Sequence, residues 1–470
     1  MRYTQVKRLD SADRFRSHVR ELGVEVPIDD QVAPDGPLAA PIAIRDASVG
    51  TLTAPNRFAI LPMEGWDATA DGHPTDLVRR RWARIGTSGA GLAWCEATAV
   101  RADGRANPRQ LLLNASTAEE LASLRALLAP DQVAGLQLTH SGRWSRPDGD
   151  PVPRIAYRHP LLDTRVHATS AALLSDDELD DLTEAYIDAA VLAATAGFDF
   201  VDIKHCHGYL LHELLSAYER PGRYGGDLDG RTRFLRTVVG GIRERAPHLA
   251  IAVRLSAFDL VPFVEDVEGI GRPERTGAYA QAFGGDGTGL GVDLTETHAL
   301  LDTFTELGIG LVSITAGSPY YNPHVQRPAY FPPSDGYRPP EDPLVGVARQ
   351  LAATAELTRR HPDLVIVGSG YSYLQDWLPN VGQAVVADGG TSMVGLGRMV
   401  LAYPDLPADV LAGRPVQRSL ICRTFSDCTT APRHGLVSGC FPIDPFYKEH
   451  RDRVELTQVK KAARRSPDDE

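Results

Sequence analysis

The chain has 470 residues, 43% of them apolar and 23% charged, with a formal net charge of −12. Mixed signs on an acidic balance leave no basic face for nucleic acid, and no apolar run approaches the ~20 residues that cross a bilayer as a helix. Five cysteines without a tight framework fit a reducing compartment, and the charged N-terminus lacks the apolar core of a secretory signal, so the expected location is cytoplasmic.

Residues 1–40 contain one short helical pattern. Ser11 caps it and Phe15, Val19 and Leu22 take its apolar positions; the stretch from Pro27 to Pro41 then reads as an arm that straps the rest of the chain or a neighbouring subunit. From Pro41 the apolar runs become rhythmic. Phe58 to Leu61, Gly91 to Val100, Val133 to Leu138, Phe198 to Ile203, Ile251 to Leu255, Leu311 to Thr315, Leu364 to Gly368 and Met393 to Gly397 are buried-strand candidates. Helical patterns alternate with them, clearest in Asp177 to Ala196, Arg233 to Ala246, Leu294 to Leu307 and Gly346 to Arg360. Alternating β and α units imply a parallel sheet, and eight repeats predict an α/β fold closed as a (β/α)8 TIM barrel. The expected organisation is an arm over 1–40, a barrel over 41–407 and a C-terminal extension over 408–470.

In such barrels function sits at the C-terminal ends of the strands. The fourth run stops abruptly in Lys204, His205, Cys206, His207, Gly208 and Tyr209, a costly set of titratable groups to desolvate unless their ionisation is put to use. The other runs show the same bias. Pro62, Met63 and Glu64 follow the first, Gln137 and His140 mark the third, and Arg254 lies in the fifth. Gly368, Ser369 and Gly370 close the seventh and Gly397 and Arg398 the eighth, the two positions where this barrel holds phosphate on glycine-rich backbone and helix N-termini.

The stretch from Phe198 to Arg233 resembles the old yellow enzyme family of flavin-dependent ene-reductases, with its Gly-Phe-Asp strand, His-Gly-Tyr-Leu-Leu lip and Arg-Tyr-Gly-Gly turn. Gln137-Leu138-Thr139-His140-Ser141-Gly142-Arg143, Arg254-Leu255-Ser256 and Asn56-Arg57-Phe58 through Pro62-Met63 are similar to further motifs of that family. The likeness covers roughly Pro41 to Pro407. It implies flavin mononucleotide (FMN) as cofactor and NAD(P)H as reductant of an activated alkene. It also implies Gly368, Ser369, Gly370, Gly397 and Arg398 on the phosphate, Gln137 and Arg254 on the pyrimidine edge, and Pro62, Met63 and residue 64 against the ring. His207 would bind a substrate carbonyl and Tyr209 would protonate the substrate.

Two positions depart from the family pattern. Glu64 stands where Thr or Cys is usual, and is expected either to tune the flavin or to be a solvated loop residue. Lys204 stands where His is usual, with three donors and a full charge to polarise a carbonyl or bind a carboxylate or phenolate, and it is expected to lower the Tyr209 pKa. His140, Tyr320 and Tyr321 reach the same rim as candidate substrate contacts. The long segment from Val261 to Val292 reads as a lid, a substrate wall or disorder.

The tail brings Cys422, Cys428 and Cys440. It resembles the iron–sulfur loop of the longer family members but supplies three thiols where a cubane needs four, so no metal is expected; a zinc site completed by His434 is the minor alternative. Lys460 to Glu470 is expected to fray. The partners implied are a small-molecule substrate and, if any macromolecule, a second copy in a homo-oligomer. Two other functions remain open from the residues alone: a Schiff-base lyase or aldolase using Lys204, and a flavin-binding barrel without turnover.

Overall fold

Twelve strands are present in the computed structural model, which describes residues 3–463. They are β1 (Ile42–Asp46), β2 (Gly50–Ala54), β3 (Phe58–Ile60), β4 (Leu92–Ala99), β5 (Val133–Thr139), β6 (Phe200–Ile203), β7 (Ala250–Ser256), β8 (Phe263–Glu265), β9 (Gly271–Pro273), β10 (Leu311–Thr315), β11 (Val365–Gly368) and β12 (Met393–Leu396). Eight of them close a parallel barrel in the order β10-β11-β12-β3-β4-β5-β6-β7. Each coincides with one of the eight apolar runs to within about two residues. Barrel strands are covered on both faces, which is why they read as continuous apolar stretches. The helices Asp176–Thr195, Leu228–Arg245, Thr295–Glu306 and Pro343–Arg360 pack outside; the first starts at a capping box between Ser175 and Glu178.

The antiparallel hairpin β1/β2 is absent from the sequence reading. It covers the N-terminal end of the barrel, where Ile44 and Ala54 join a buried cluster with Leu92, Trp94, Val133 and Phe200, and Asp46 Oδ2 accepts the Ile251 N–H at 3.2 Å. That closure leaves the opposite rim for chemistry.

The arm does strap the barrel. Ser11 caps the helix Ala12–Glu21, Phe15 packs with its ring centroid 6.1 Å from that of Trp377, and the Trp377 indole donates to Leu9 O at 2.7 Å. The segment from Val261 to Val292 is not a structureless lid: β8 and β9 pair within it, and Val261, Phe263 and Tyr279 bury against Tyr337. In the tail, Lys460 lies within the helix Asp452–Ala462 and its Nζ reaches Asp427 Oδ1 at 2.5 Å, so this part of the end is held where fraying was expected. The remainder of that expectation, residues 464–470, lies outside the described residues.

Cys422, Cys428 and Cys440 are free thiols, and among the described residues no group of three or more His, Cys, Asp or Glu is placed to hold a metal ion. His434, the fourth ligand of the zinc alternative, instead bonds Ser334 Oγ at 3.2 Å. No helix among the described residues is long and apolar enough to cross a membrane.

Candidate active site

At the C-terminal rim of the barrel lies a cavity of about 220 Å³. Pro62, Met63, Glu64, Gln137 and Arg254 line it, as do Lys204, His207, Tyr209 and Tyr320, and Ser369, Gly370, Gly397 and Arg398 form its far end. Most of the sequence-predicted set is therefore brought together.

The lip after β6 is a tight backbone turn. His207 and Gly208 both adopt left-handed conformations, φ 67° and 76°, and a Cβ on Gly208 would approach the Tyr321 ring at 2.8 Å, so glycine is needed there. The Gly208 N–H donates to His212 Nδ1 at 2.9 Å, which fixes the turn. Tyr209 then precedes the short helix Leu210–Leu215. His205 and Cys206 are buried and do not line the cavity.

Lip side chains converge on one carboxylate. Glu64 Oε1 accepts the Trp66 indole N–H at 2.5 Å, Oε2 accepts the Tyr209 hydroxyl at 3.3 Å, and Lys204 Nζ stands 3.8 Å from Oε2. Glu64 is thus no solvated loop residue; its side chain is only 16% exposed. Burial raises its carboxyl pKa above the ordinary range, against the opposing pull of the Lys204 ammonium. Lys204 also sits 3.7 Å from the centroid of the Tyr209 ring, over its face. The Tyr209 pKa is accordingly raised, not lowered as the sequence suggested, because burial dominates and Glu64 adds to it, while Lys204 faces the ring rather than its hydroxyl.

His207 is held neutral by burial and by the cations Arg254 and Lys204. Its Nε2 lies 3.1 Å from the Gln326 side-chain amide, whose Oε1 is buried without another partner.

Below the lip, Gln137 Nε2 donates to Asp202 Oδ2 at 2.5 Å, the Trp94 indole donates to the same oxygen at 2.8 Å, and the Arg254 backbone N–H donates to Oδ1 at 2.7 Å. Asp202 fixes the Gln137 amide and is the acidic neighbour of Arg254; burial pushes its carboxyl up to about 6. The Arg254 Nε is buried without a partner. Asp202 was missed because it sits inside an apolar run. The available signal was its place on β6 directly opposite Gln137 of β5, with Arg254 two positions along the adjoining β7.

At the far end Gly370 turns at φ 92°, and Ser369 Oγ and Arg398 Nη1 are buried without hydrogen-bond partners. Arg327, in the loop after β10, joins them: its Nη2 is also buried and unpartnered, and burial with the nearby Arg433 and Arg398 brings its pKa down to about 9. Nothing in the sequence marked Arg327.

Three predicted contacts are placed elsewhere. His140 is buried away from the cavity, with Nδ1 accepting the Gly142 N–H at 3.1 Å and Nε2 3.7 Å from Asp103. Tyr321 donates to Asp259 Oδ2 at 2.5 Å behind the wall, while its neighbour Tyr320 faces the cavity. Gly368 ends β11 beneath the turn, against the Tyr371 ring, and only Ser369 and Gly370 reach the cavity.

The rim cavity of this closed (β/α)8 barrel thus carries unsatisfied cations and a glycine turn at one end, and an amide with a guanidinium at the other. Residues 38–269 match the model of the NADH:flavin oxidoreductase / NADH oxidase family. An NADPH dehydrogenase of Bacillus cytotoxicus is 31% identical over 222 residues, 46% of this chain and 62% of that protein, so the chain spans about three-fifths of that relative's length. Among solved structures, a 2-naphthoyl-CoA reductase superposes with TM-score 0.66 at 20% identity, covering 88% of this chain and 58% of the other. An old yellow enzyme homologue from Zymomonas mobilis gives 0.53 at 21% identity over 81% and 94%, and both likenesses establish the fold.

Proposed function

We propose that this chain is an FMN-dependent oxidoreductase that reduces an activated, α,β-unsaturated alkene at the expense of NAD(P)H. The observation that supports the reading is the unsatisfied end of the cavity. Ser369 Oγ, Arg398 Nη1 and Arg327 Nη2 are buried donors without acceptors, a costly arrangement that a dianionic phosphate resolves. Ser369, Gly370, Gly397, Arg398 and Arg327 would hold the FMN phosphate, and Gln137 and Arg254 would hold its pyrimidine edge. When bound, the flavin supplies two-electron chemistry between the nicotinamide and the substrate.

The chain's own groups do the rest. Gln137, with its NH2 spent on Asp202, keeps its carbonyl oxygen free to accept an N–H. Arg254 would supply a permanent positive charge beside the pyrimidine edge. Lys204 and His207 are donors for a substrate carbonyl oxygen as it gains charge, so they serve the transition state more than the ground state. Tyr209 is a neutral phenol and provides the proton for the α-carbon. Tyr320 closes the cavity above it.

Anaerobic stopped-flow work on the FMN-loaded protein tests this. NAD(P)H should bleach the flavin, and a cyclic enone should restore its colour. Bleaching without restoration by any of a panel of enones, unsaturated acids and thioesters would overturn alkene reduction.

A further inference from the structure

We infer that Glu64 is the proton reservoir of the lip: it resupplies Tyr209 from behind, and Tyr320 connects the pair to the outside. The inference rests on the alkene-reduction reading above and assigns a role to the residue that most departs from the family pattern.

The geometry is a chain of three oxygens. Glu64 Oε2 lies 3.3 Å from the Tyr209 hydroxyl, which lies 3.1 Å from the Tyr320 hydroxyl. Tyr320 stands in the wall between the inner cavity and an outer cleft of about 530 Å³, and lines both. Its ring is fixed by stacking on Trp144, with centroids 4.5 Å apart and planes 6° from parallel. The Trp66 indole anchors the other carboxyl oxygen, so Glu64 keeps Oε2 towards Tyr209. The remaining charged neighbours are Lys204, 3.8 Å from Oε2, and Glu96, which shares Arg81, at 3.0 Å, with Asp67. Burial and Glu96 favour the protonated acid, Lys204 and the hydrogen bonds from Trp66 and Tyr209 favour the carboxylate, and burial prevails.

The proton steps balance as follows. A hydride equivalent originating from NAD(P)H forms a C–H bond at the substrate β-carbon, the alkene π bond breaks, and its electron pair moves to the α-carbon, delocalised onto the carbonyl oxygen. The Tyr209 O–H bond breaks, its proton forms the new C–H bond, and the O–H electron pair stays on the phenolate. The Glu64 carboxylic acid O–H then breaks and its proton restores the Tyr209 hydroxyl, leaving a carboxylate facing the Lys204 ammonium. Before the next turnover a solvent proton returns to Glu64 through Tyr320 and Tyr209.

Two readouts test this. Infrared titration of the flavin-free protein should show a carboxylic acid band that persists above the pH at which ordinary glutamates ionise and that Glu64→Gln removes. In single-turnover alkene reduction, the rate should fall as pH rises through that same ionisation. Glu64→Gln should lower the rate by about tenfold or more and flatten its pH profile, and should turn a curved proton inventory in mixed light and heavy water into a linear one. Tyr320→Phe, which keeps the stacked ring, should slow the later turnovers more than the first, and it carries the test if Glu64→Gln does not fold; equal slowing of all turnovers would overturn the relay through Tyr320. A parent protein without the infrared band overturns the inference, as does a Glu64→Gln protein with parental rate and pH profile. Failure of NAD(P)H to bleach the flavin in the unaltered protein would instead sink the functional reading, and the infrared titration would still judge Glu64.

Discussion

The two ends of the cavity solve opposite problems. At the phosphate end Ser369, Arg398 and Arg327 each leave a buried donor unsatisfied, whereas at the lip Lys204, Tyr209 and Trp66 are all engaged by Glu64. A resident dianion would supply the charge this end lacks, so the end can be built incomplete. A substrate comes and goes and is polarised only during reaction, so the groups that serve it need an internal counter-charge to remain buried between visits. Glu64 provides that internal partner in either protonation state, as a carboxylate opposite the Lys204 ammonium or as an acid bonded to Tyr209 and Trp66.

The largest expected effect is at the lip. Lys204→Met removes the cation and leaves Glu64 buried without it. The alkene half-reaction should fall by about 10²- to 10³-fold, and phenolate-like inhibitors should lose affinity, read from stopped-flow reoxidation and flavin absorbance titration. Parental reoxidation would mean that Lys204 is only an internal partner of Glu64. Tyr209→Phe should cost about 10²-fold in the same half-reaction, and the loss should vanish when a substrate that needs no α-carbon protonation is used as oxidant. At the other end, Arg398→Ala should weaken FMN binding by about 10- to 100-fold, with Arg327→Ala similar or smaller, measured by quenching of flavin fluorescence. Should neither change the affinity, the contrast between the two ends fails.

The smallest effect concerns the wall that carries Tyr320. Asp259 accepts from Tyr321 and from Asn322 Nδ2 at 2.8 Å, and burial pushes its carboxyl up to about 6. The folded state therefore holds that proton more tightly than the unfolded chain. The contribution is full below the unfolded pKa of 3.8 and is lost as pH rises through about 6. Asp202, shifted the same way, adds to the slope. Asp259→Asn should flatten this fall in stability by an amount on the order of 1–3 kcal/mol, followed by urea unfolding between those pH values. An unchanged slope would show that Asp259 is ionised in the folded protein.

What the sequence made legible follows from locality. The barrel strands read clearly because burial on both faces makes them unbroken apolar runs, and the Ser369-Gly370 and Gly397-Arg398 turns because their chemistry lies within a few residues. Asp202 was hidden because its meaning depends on pairing across two neighbouring strands. Arg327 was hidden because it sits in an irregular loop, and only the fold brings it to Arg398. The Tyr209 pKa was misjudged in sign because the residue that dominates its polar surroundings, Glu64, lies 145 positions away in the chain. His140 and Tyr321 have the residue types of substrate contacts, but their hydrogen bonds are spent inside the scaffold.

The central claim is that the incomplete end of the cavity is a phosphate seat, and the most direct test is to titrate the flavin-free protein with FMN and with riboflavin, which share the ring and differ in the phosphate. Two charge-assisted guanidinium contacts predict that FMN binds tighter by at least about 100-fold. Equal affinities, or no binding of either flavin, would contradict the account.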